Sequence, residues 1–454
     1  MSIQTINPAT GKIEKTYVEL SKEEIKNSIN YAKQAYLKWK ETEINERSRL
    51  MKNAASVMKN KRDEYAYIIT TEMGKPIKQA IAEVEKCAWV CDYFAENAGR
   101  MLTIERIETD ASESYVEFNP LGVILAVMPW NFPFWQVFRF AAPSLMAGNV
   151  GLLKHSSNVP MCALAIEQIF INAGFPRNVF KTLLIGSEQV KDIIKDPIVK
   201  AATLTGSEPA GRKIAEACGK ELKKSVLELG GSDPFIVLDD ADLDETASIA
   251  VKARLINNGQ SCIASKRFIV VEKIYESFTE KFVNAMNRVK IGDPMDESVE
   301  LGPIAREDLL YELDSLVKDS VSKGARILTG GKVLPGKGFY YAPTILDNLS
   351  NGMPAYDDEI FGPVASLIKA KDEDDAVRIA NDSPFGLGAS IWTNDFKKAK
   401  RMATDIESGC IFVNGMVKSD PRLPFGGIKN SGYGRELSHY GIKEFVNIKS
   451  VWIK

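Results

Sequence analysis

Histidine is scarce in this chain: only His155 and His439 occur in 454 residues. That scarcity argues against a Ser-His-Asp or Cys-His hydrolase and against a His-rich metal centre. Any base that assists a nucleophile here is then a carboxylate, a lysine or water. Charge of one sign is also lacking, with 58 Lys plus Arg against 60 Asp plus Glu. A nucleic-acid or anionic-membrane partner calls for a basic face, and none is expected. No apolar run reaches the roughly 18 residues that span a bilayer. The stretch Met1–Pro8 lacks a basic start followed by apolar residues, so no secretory signal is read there. The six cysteines, Cys87, Cys91, Cys162, Cys218, Cys262 and Cys410, show neither disulfide nor zinc spacing. No metal site is expected, and a reducing cytoplasm is the natural location. The Gly-x-Gly-x-x-Gly fingerprint of ordinary dinucleotide binding is missing too.

What is present is a large globular chain. With 454 residues, 45% hydrophobic and 26% charged, it can bury a sizeable core and divides into two or three domains. Residues 22–100 read as helices, opened by Ser21-Lys22-Glu23-Glu24 as an N-cap with acidic first-turn residues. Residues 112–118 alternate like a half-exposed strand, and the apolar run from Leu121 to Met128 reads as a buried parallel strand. Strand and helix patterns then alternate through Gly206 and again beyond Gly231, which implies open parallel sheets with helices on both faces. The tail from Glu444 to Ile453 reads as a terminal strand that needs a partner edge.

Two residues stand out chemically. Cys262 follows Asn257-Asn258-Gly259-Gln260-Ser261, small and amide-rich neighbours that do not make a core. Glu228 ends an apolar run before Leu229-Gly230-Gly231. A sulfur nucleophile and a carboxylate base suit chemistry through a covalent thioester. Cys162, Cys218 and Cys410 read as small buried hydrophobes, and Cys87 and Cys91, four apart on a probable helix, as core or packing residues.

Further motifs occur in register: Pro129-Trp130-Asn131-Phe132-Pro133, Lys154, Thr205-Gly206-Ser207, Glu359-Ile360-Phe361-Gly362-Pro363 and Pro424-Phe425-Gly426-Gly427. Together with Glu228 and Cys262 they resemble the NAD(P)-dependent aldehyde dehydrogenase superfamily over essentially the whole chain. Residues 223–235 and 434–439 are most similar to the shorter bacterial and archaeal succinate-semialdehyde dehydrogenases.

The resemblance implies roles. Cys262 would attack the aldehyde, with the Asn131 side-chain amide and the Cys262 N–H as oxyanion donors, and Glu228 would activate water against the thioester. Trp130, Gly206, Ser207 and Leu229 would adjoin the cofactor, its pyrophosphate facing the helix start at Glu208. Lys154 would reach the adenosine ribose, Glu359 the nicotinamide ribose, and Phe361 would pack by the nicotinamide. Many NAD-preferring relatives carry Glu at the place of Ser157. A hydroxyl there removes a repulsion, so NADP⁺ is expected to be favoured slightly, with NAD⁺ accepted. Arg139 and Ser419 match the arginine and anchor-loop serine that recognise a carboxylate in succinate-semialdehyde enzymes. A second family arginine is Ile256 here, and Arg422 is expected to replace it.

The expected fold is α/β, aldehyde dehydrogenase-like. A Rossmann-type cofactor domain would take residues 1–103 and 120–229, and a catalytic domain residues 230–432. A small β oligomerisation arm would take residues 104–119 and 433–454, making a homodimer or homotetramer. The expected reaction is oxidation of succinate semialdehyde to succinate, with glutarate semialdehyde, glyceraldehyde or an aliphatic aldehyde as alternative substrates. Glu228 favours water over coenzyme A as acyl acceptor.

Overall fold

The computed structural model describes residues 2–454. Four helices, Lys22–Trp39, Ile44–Asn60, Arg62–Met73 and Ile77–Met101, follow an N-terminal hairpin. Their start is set locally: Ser21 Oγ accepts the Glu24 N–H at 3.3 Å, and the Glu24 carboxylate accepts the Ser21 N–H at 2.7 Å. This reciprocal capping box satisfies two otherwise orphaned donors. The hairpin itself, Ser2–Asn7 against Lys12–Val18, was not expected from the sequence. Its residues are mostly polar and exposed after Asn7, so no buried alternation marks them.

A six-stranded sheet carries the first α/β unit. Its order is Gly432–Tyr433, Lys224–Glu228, Val199–Thr205, Val123–Met128, Val150–His155 and Phe180–Thr182, parallel throughout except for the first. The run from Val123 to Met128 is buried almost completely, as expected of an interior strand covered on both faces. The strand Gly432–Tyr433 attaches to this sheet, so the chain returns from the second unit to finish the edge of the first.

The second unit is a seven-stranded sheet ordered Arg326–Thr329, Thr344–Asp347, Val364–Ala370, Arg267–Val271, Pro234–Val237, Gly388–Trp392 and Cys410–Val413. Only its first pairing is antiparallel. Apolar clusters cover both faces, including a stack of Phe235 on Trp392 with ring centroids 5.1 Å apart. The terminal strand Val446–Ile453 finds its partner in Glu113–Pro120, forming a three-stranded sheet with Glu105–Arg106.

The two large sheets meet at their ends. Met128, Thr205 and Glu228 close parallel strands of the first sheet, where open α/β sheets present ligand sites. The turns carrying Cys262 and Glu359 lead into Arg267–Val271 and Val364–Ala370 of the second. Among the described residues, no helix is long and apolar enough to cross a membrane. No group of three or more His, Cys, Asp or Glu among them could hold a metal ion.

Candidate active site

Cys262 sits half-buried after a turn whose backbone is unusual. Asn257, Asn258 and Gly259 have φ values of 57°, 59° and 73°, placing successive residues in the left-handed region. Asparagine tolerates that region better than most residues, and here its side chains secure it. Asn257 Nδ2 donates to the carbonyls of Asn131 at 2.7 Å and Gln260 at 2.9 Å. Asn258 Nδ2 donates to the carbonyls of Gly74 and Pro303, both at 2.9 Å. A Cβ on Gly259 would lie 2.3 Å from the Gly362 carbonyl oxygen, so only glycine fits. The amide-rich run therefore has a structural purpose: the Asn257 and Asn258 amide N–H groups brace a buried, contorted turn through neighbouring carbonyls.

The turn is also held by cations. Lys266 Nζ donates to the carbonyls of Ser261 at 2.7 Å and Cys262 at 2.6 Å, and lies 3.3 Å from Glu359. Arg254 donates to the Gly259 and Ser265 carbonyls. Burial pushes the Cys262 thiol up to about 12, opposed by the nearby positive charges of Lys266 and Arg139. Asn131 Nδ2 donates to the Gln260 carbonyl at 3.0 Å, and Gln136 Nε2 holds the Asn131 Oδ1 at 3.1 Å. A primary amide has two N–H donors, so this leaves Asn131 one more for an oxyanion.

Cys262 lines two cavities. One, of about 250 Å³, is bounded by Trp130, Asn131, Gly206, Ser207, Leu229, Glu359 and Phe361. Trp130 and Phe361 meet edge-to-face with centroids 5.7 Å apart. The Glu359 carboxylate accepts the Gly231 N–H at 3.0 Å. A further cavity of about 690 Å³ contains Lys154, and Ser207 lies on both. Ser207 is the N-cap of the helix Glu208–Lys220 without a side-chain cap hydrogen bond. The first N–H groups of that helix are thus not capped from within, as an anion site at a helix start requires. The two cavities, joined at Ser207, fit an elongated anionic ligand such as a dinucleotide. Burial lowers the Lys154 pKa, opposed by Glu188 and Glu19. Ser157 is exposed beyond the strand Val150–His155 and does not line the cavity that holds Lys154.

The other cavity at Cys262, about 640 Å³, is lined by Phe132, Trp135, Gln136, Arg139, Ser419 and Phe425 among others. Arg139 is buried and ion-paired with Glu436, donates to Thr205 Oγ1 at 3.3 Å, and lies 4.7 Å from the Phe425 ring centroid. Ser419 accepts hydrogen bonds from Trp135 Nε1 and Lys86 Nζ, each at 3.0 Å. Arg422 is placed differently from expectation. Its side chain is 66% exposed and paired with Asp420 at 2.7 Å, and it is not part of the cavity wall. Asp420 lies two residues back in the same loop and reaches the guanidinium at two points, which holds it outward.

Glu228 is 2% exposed, and neither carboxylate oxygen has a hydrogen-bond partner among the described residues. Burial raises its pKa well above the usual carboxylate range, against the charge of Arg139 and with a contribution from Glu436. Its carboxyl is not on the wall of either cavity that Cys262 lines, although Leu229 and Gly230 are. The structure therefore brings Cys262, Asn131 and the cofactor-side residues together, with Glu228 set back beside them.

Several residues of the site escaped sequence reading. Glu83 Oε1 accepts the N–H groups of Phe134 at 2.9 Å and Trp135 at 3.0 Å, anchoring the helix that follows Asn131. Its carboxylate also pairs with buried Lys75. A signal existed: Glu83 shares the buried helical register of Ala80, Val84 and Cys87. Lys86, Gln136 and Lys266 carried no comparable mark.

The family model described as the aldehyde dehydrogenase family matches residues 1–451. A Synechocystis protein named a probable succinate-semialdehyde dehydrogenase (NADP⁺) is 51% identical over 453 residues, covering 100% of both chains. A succinate-semialdehyde dehydrogenase (NADP⁺) of Mycobacterium avium is 50% identical over 457 residues, covering 100% of this chain and 97% of its own. Among solved structures, succinic semialdehyde dehydrogenase from Streptococcus pyogenes with NADP⁺ superimposes with a TM-score of 0.97. It is 40% identical, with 99% of each chain covered.

Proposed function

Since the chain belongs to the aldehyde dehydrogenase family, we propose that it oxidises succinate semialdehyde to succinate with NADP⁺ as preferred hydride acceptor. The observation that carries this reading is the position of Cys262 on the wall common to the two cavities. A nucleophile there can meet an aldehyde from one side and a nicotinamide from the other. The relatives named for this activity with NADP⁺ support the substrate and cofactor.

The chain's own residues then divide the work. Cys262 passes its thiol proton to water and, as the thiolate, attacks the aldehyde carbon, forming a C–S bond while the carbonyl π pair moves to oxygen as an oxyanion. The second Asn131 amide proton and the Cys262 N–H receive that oxyanion. When bound, NADP⁺ would supply the hydride acceptor. Loss of hydride from the carbon leaves a thioester on Cys262. Glu228, moving from its recess, takes a proton from water as the water oxygen attacks the thioester carbon, and the C–S bond breaks to release succinate. Ser207 and the helix start behind it would hold the pyrophosphate, Glu359 and Lys154 the riboses, and Trp130, Leu229 and Phe361 the nicotinamide side. Ser157, which carries no charge to repel a phosphate, supports the preference for NADP⁺.

The reading extends to assembly and location. Ile448 and Trp452 on the terminal strand are 61% and 52% exposed, an apolar edge suited to a second copy in a homodimer or homotetramer. All six cysteines are unpaired, which suits a reducing cytoplasm. A panel of succinate semialdehyde, glutarate semialdehyde, glyceraldehyde and butanal, run with NADP⁺ and NAD⁺, tests the function. The highest kcat/KM for succinate semialdehyde with NADP⁺ is expected. Equal values for butanal would refute carboxylate recognition.

A further inference from the structure

Lys266 is a buried charge fastened to the nucleophile's own backbone. It immediately precedes the strand Arg267–Val271 and is 1% exposed. Its N–H donates to the Asp233 carbonyl at 3.0 Å, and its carbonyl accepts the Ser366 N–H at 2.9 Å. The sheet therefore fixes the point from which the side chain starts. From there Nζ reaches the carbonyls of Ser261 at 2.7 Å and Cys262 at 2.6 Å, and the Glu359 carboxylate at 3.3 Å. All three are acceptors. A neutral amine would turn its lone pair on one of these oxygens, whereas an ammonium has one proton for each. The surroundings thus hold Lys266 charged: burial lowers its pKa, and Glu359 and Asp233 oppose that effect.

Bracing the turn does not require this charge. Asn257 and Asn258 already brace it with neutral amides, and Arg254 binds the Gly259 carbonyl. What a second cation adds is a field at the sulfur. The groups that act on the Cys262 thiol are Lys266 and Arg139 on the positive side, Glu359 and Asp233 on the negative. Lys266 acts more strongly than Arg139 in favour of ionised sulfur. Arg254 lies in the same turn, and Glu228 is set back beside it. Glu359 is the member that faces outward. Its Oε1 accepts from both Lys266 and the Gly231 N–H, and the residue lines the 250 Å³ cavity.

We infer that Lys266 is a positioning residue that ties the Cys262 backbone to Glu359 and favours the thiolate over the thiol at Cys262. Glu359 shares the same ammonium and so moderates its effect on the sulfur. The inference rests on the reaction proposed above, in which Cys262 is the nucleophile.

The test needs no cofactor. Cys262 in the intact enzyme is alkylated with iodoacetamide across a range of pH, and mass spectrometry of the Cys262 peptide gives the rate. The thiolate displaces iodide, so the rate follows the ionised fraction of the sulfur. Loss of a neighbouring opposite charge moves a pKa by about one unit or more. Lys266→Met should therefore slow alkylation at a fixed pH by about tenfold. Lys266→Arg, which keeps the charge, should stay near the wild-type rate. Glu359→Gln removes the opposing carboxylate and should speed alkylation severalfold. A turn that is merely displaced would not reverse its effect between these two partners. Equal rates in wild type and Lys266→Met, or slower alkylation in Glu359→Gln, overturn the role of Lys266. The Glu359→Gln and Lys266→Arg enzymes decide the matter if Lys266→Met does not fold. NADPH formation that survives complete alkylation of Cys262 would instead overturn the proposed reaction, and this role with it.

Discussion

Asn131 and Gln260 are joined by a 3.0 Å hydrogen bond from the asparagine amide to the glutamine carbonyl. The side chain proposed to receive the oxyanion thus also braces the turn that presents the thiol. Asn131→Ala removes both services. We expect kcat/KM for succinate semialdehyde to fall by about 10²–10³-fold, the usual loss for one oxyanion donor. Steady-state rates of NADPH formation measure it, while NADP⁺ affinity should change little.

Replacing the nucleophile is more severe. Cys262→Ala should reduce NADPH production by at least about 10³-fold, since no second thiol lines either cavity. Mass spectrometry of the wild type, quenched during turnover, should find the succinyl adduct on Cys262. Substantial turnover by the alanine variant would remove the thiol from the reaction.

Glu228 gives a pH prediction. A carboxylate accepts a proton only when ionised, and burial raises the pH at which Glu228 becomes so. The rate of thioester hydrolysis should therefore rise with pH beyond the ordinary carboxylate range, then level off. Glu228→Gln should remove that limb and slow hydrolysis by about 10²–10⁴-fold. A burst of NADPH followed by slow turnover in stopped-flow traces is the expected sign.

Cofactor choice is tested at Ser157. Ser157→Glu places a negative charge where the 2′-phosphate is expected, and like-charge contact costs several kcal/mol when poorly solvated. At this exposed position we expect a more modest loss, about tenfold in kcat/KM for NADP⁺ relative to NAD⁺. An unchanged ratio would move phosphate recognition away from Ser157 to the residues that line the Lys154 cavity.

Glu83 tests stability. Glu83→Gln leaves Lys75 buried beside an uncharged partner and weakens the anchor of Phe134 and Trp135. A loss of about 3 kcal/mol is expected, because an uncompensated buried charge is costly. Denaturant unfolding of the two proteins measures it directly.

The sequence was most legible where local chemistry and position coincide. Ser21 and Glu24 announce a helix start, and the apolar run before Pro129 announces a buried strand. Cys262 stood out because its neighbours were wrong for a core, and Asn131 through the Pro129–Pro133 motif that carries the family resemblance. The cavity wall was harder to read. Lys86 looks like any helical lysine until Ser419, 333 positions away, is folded against it. Arg422 differs in the opposite sense: its place in the anchor loop suggested a substrate contact, but Asp420 offered a nearer partner. Tertiary proximity decides such cases, and periodicity carries no record of it.

Only Cys262 and Gln136 are common to the 640 Å³ and 250 Å³ cavities. Evolution, or a protein engineer, can accordingly retailor which aldehydes enter while leaving nucleotide use nearly untouched. The separation offers a physical basis for diversifying substrates around one conserved oxidation step.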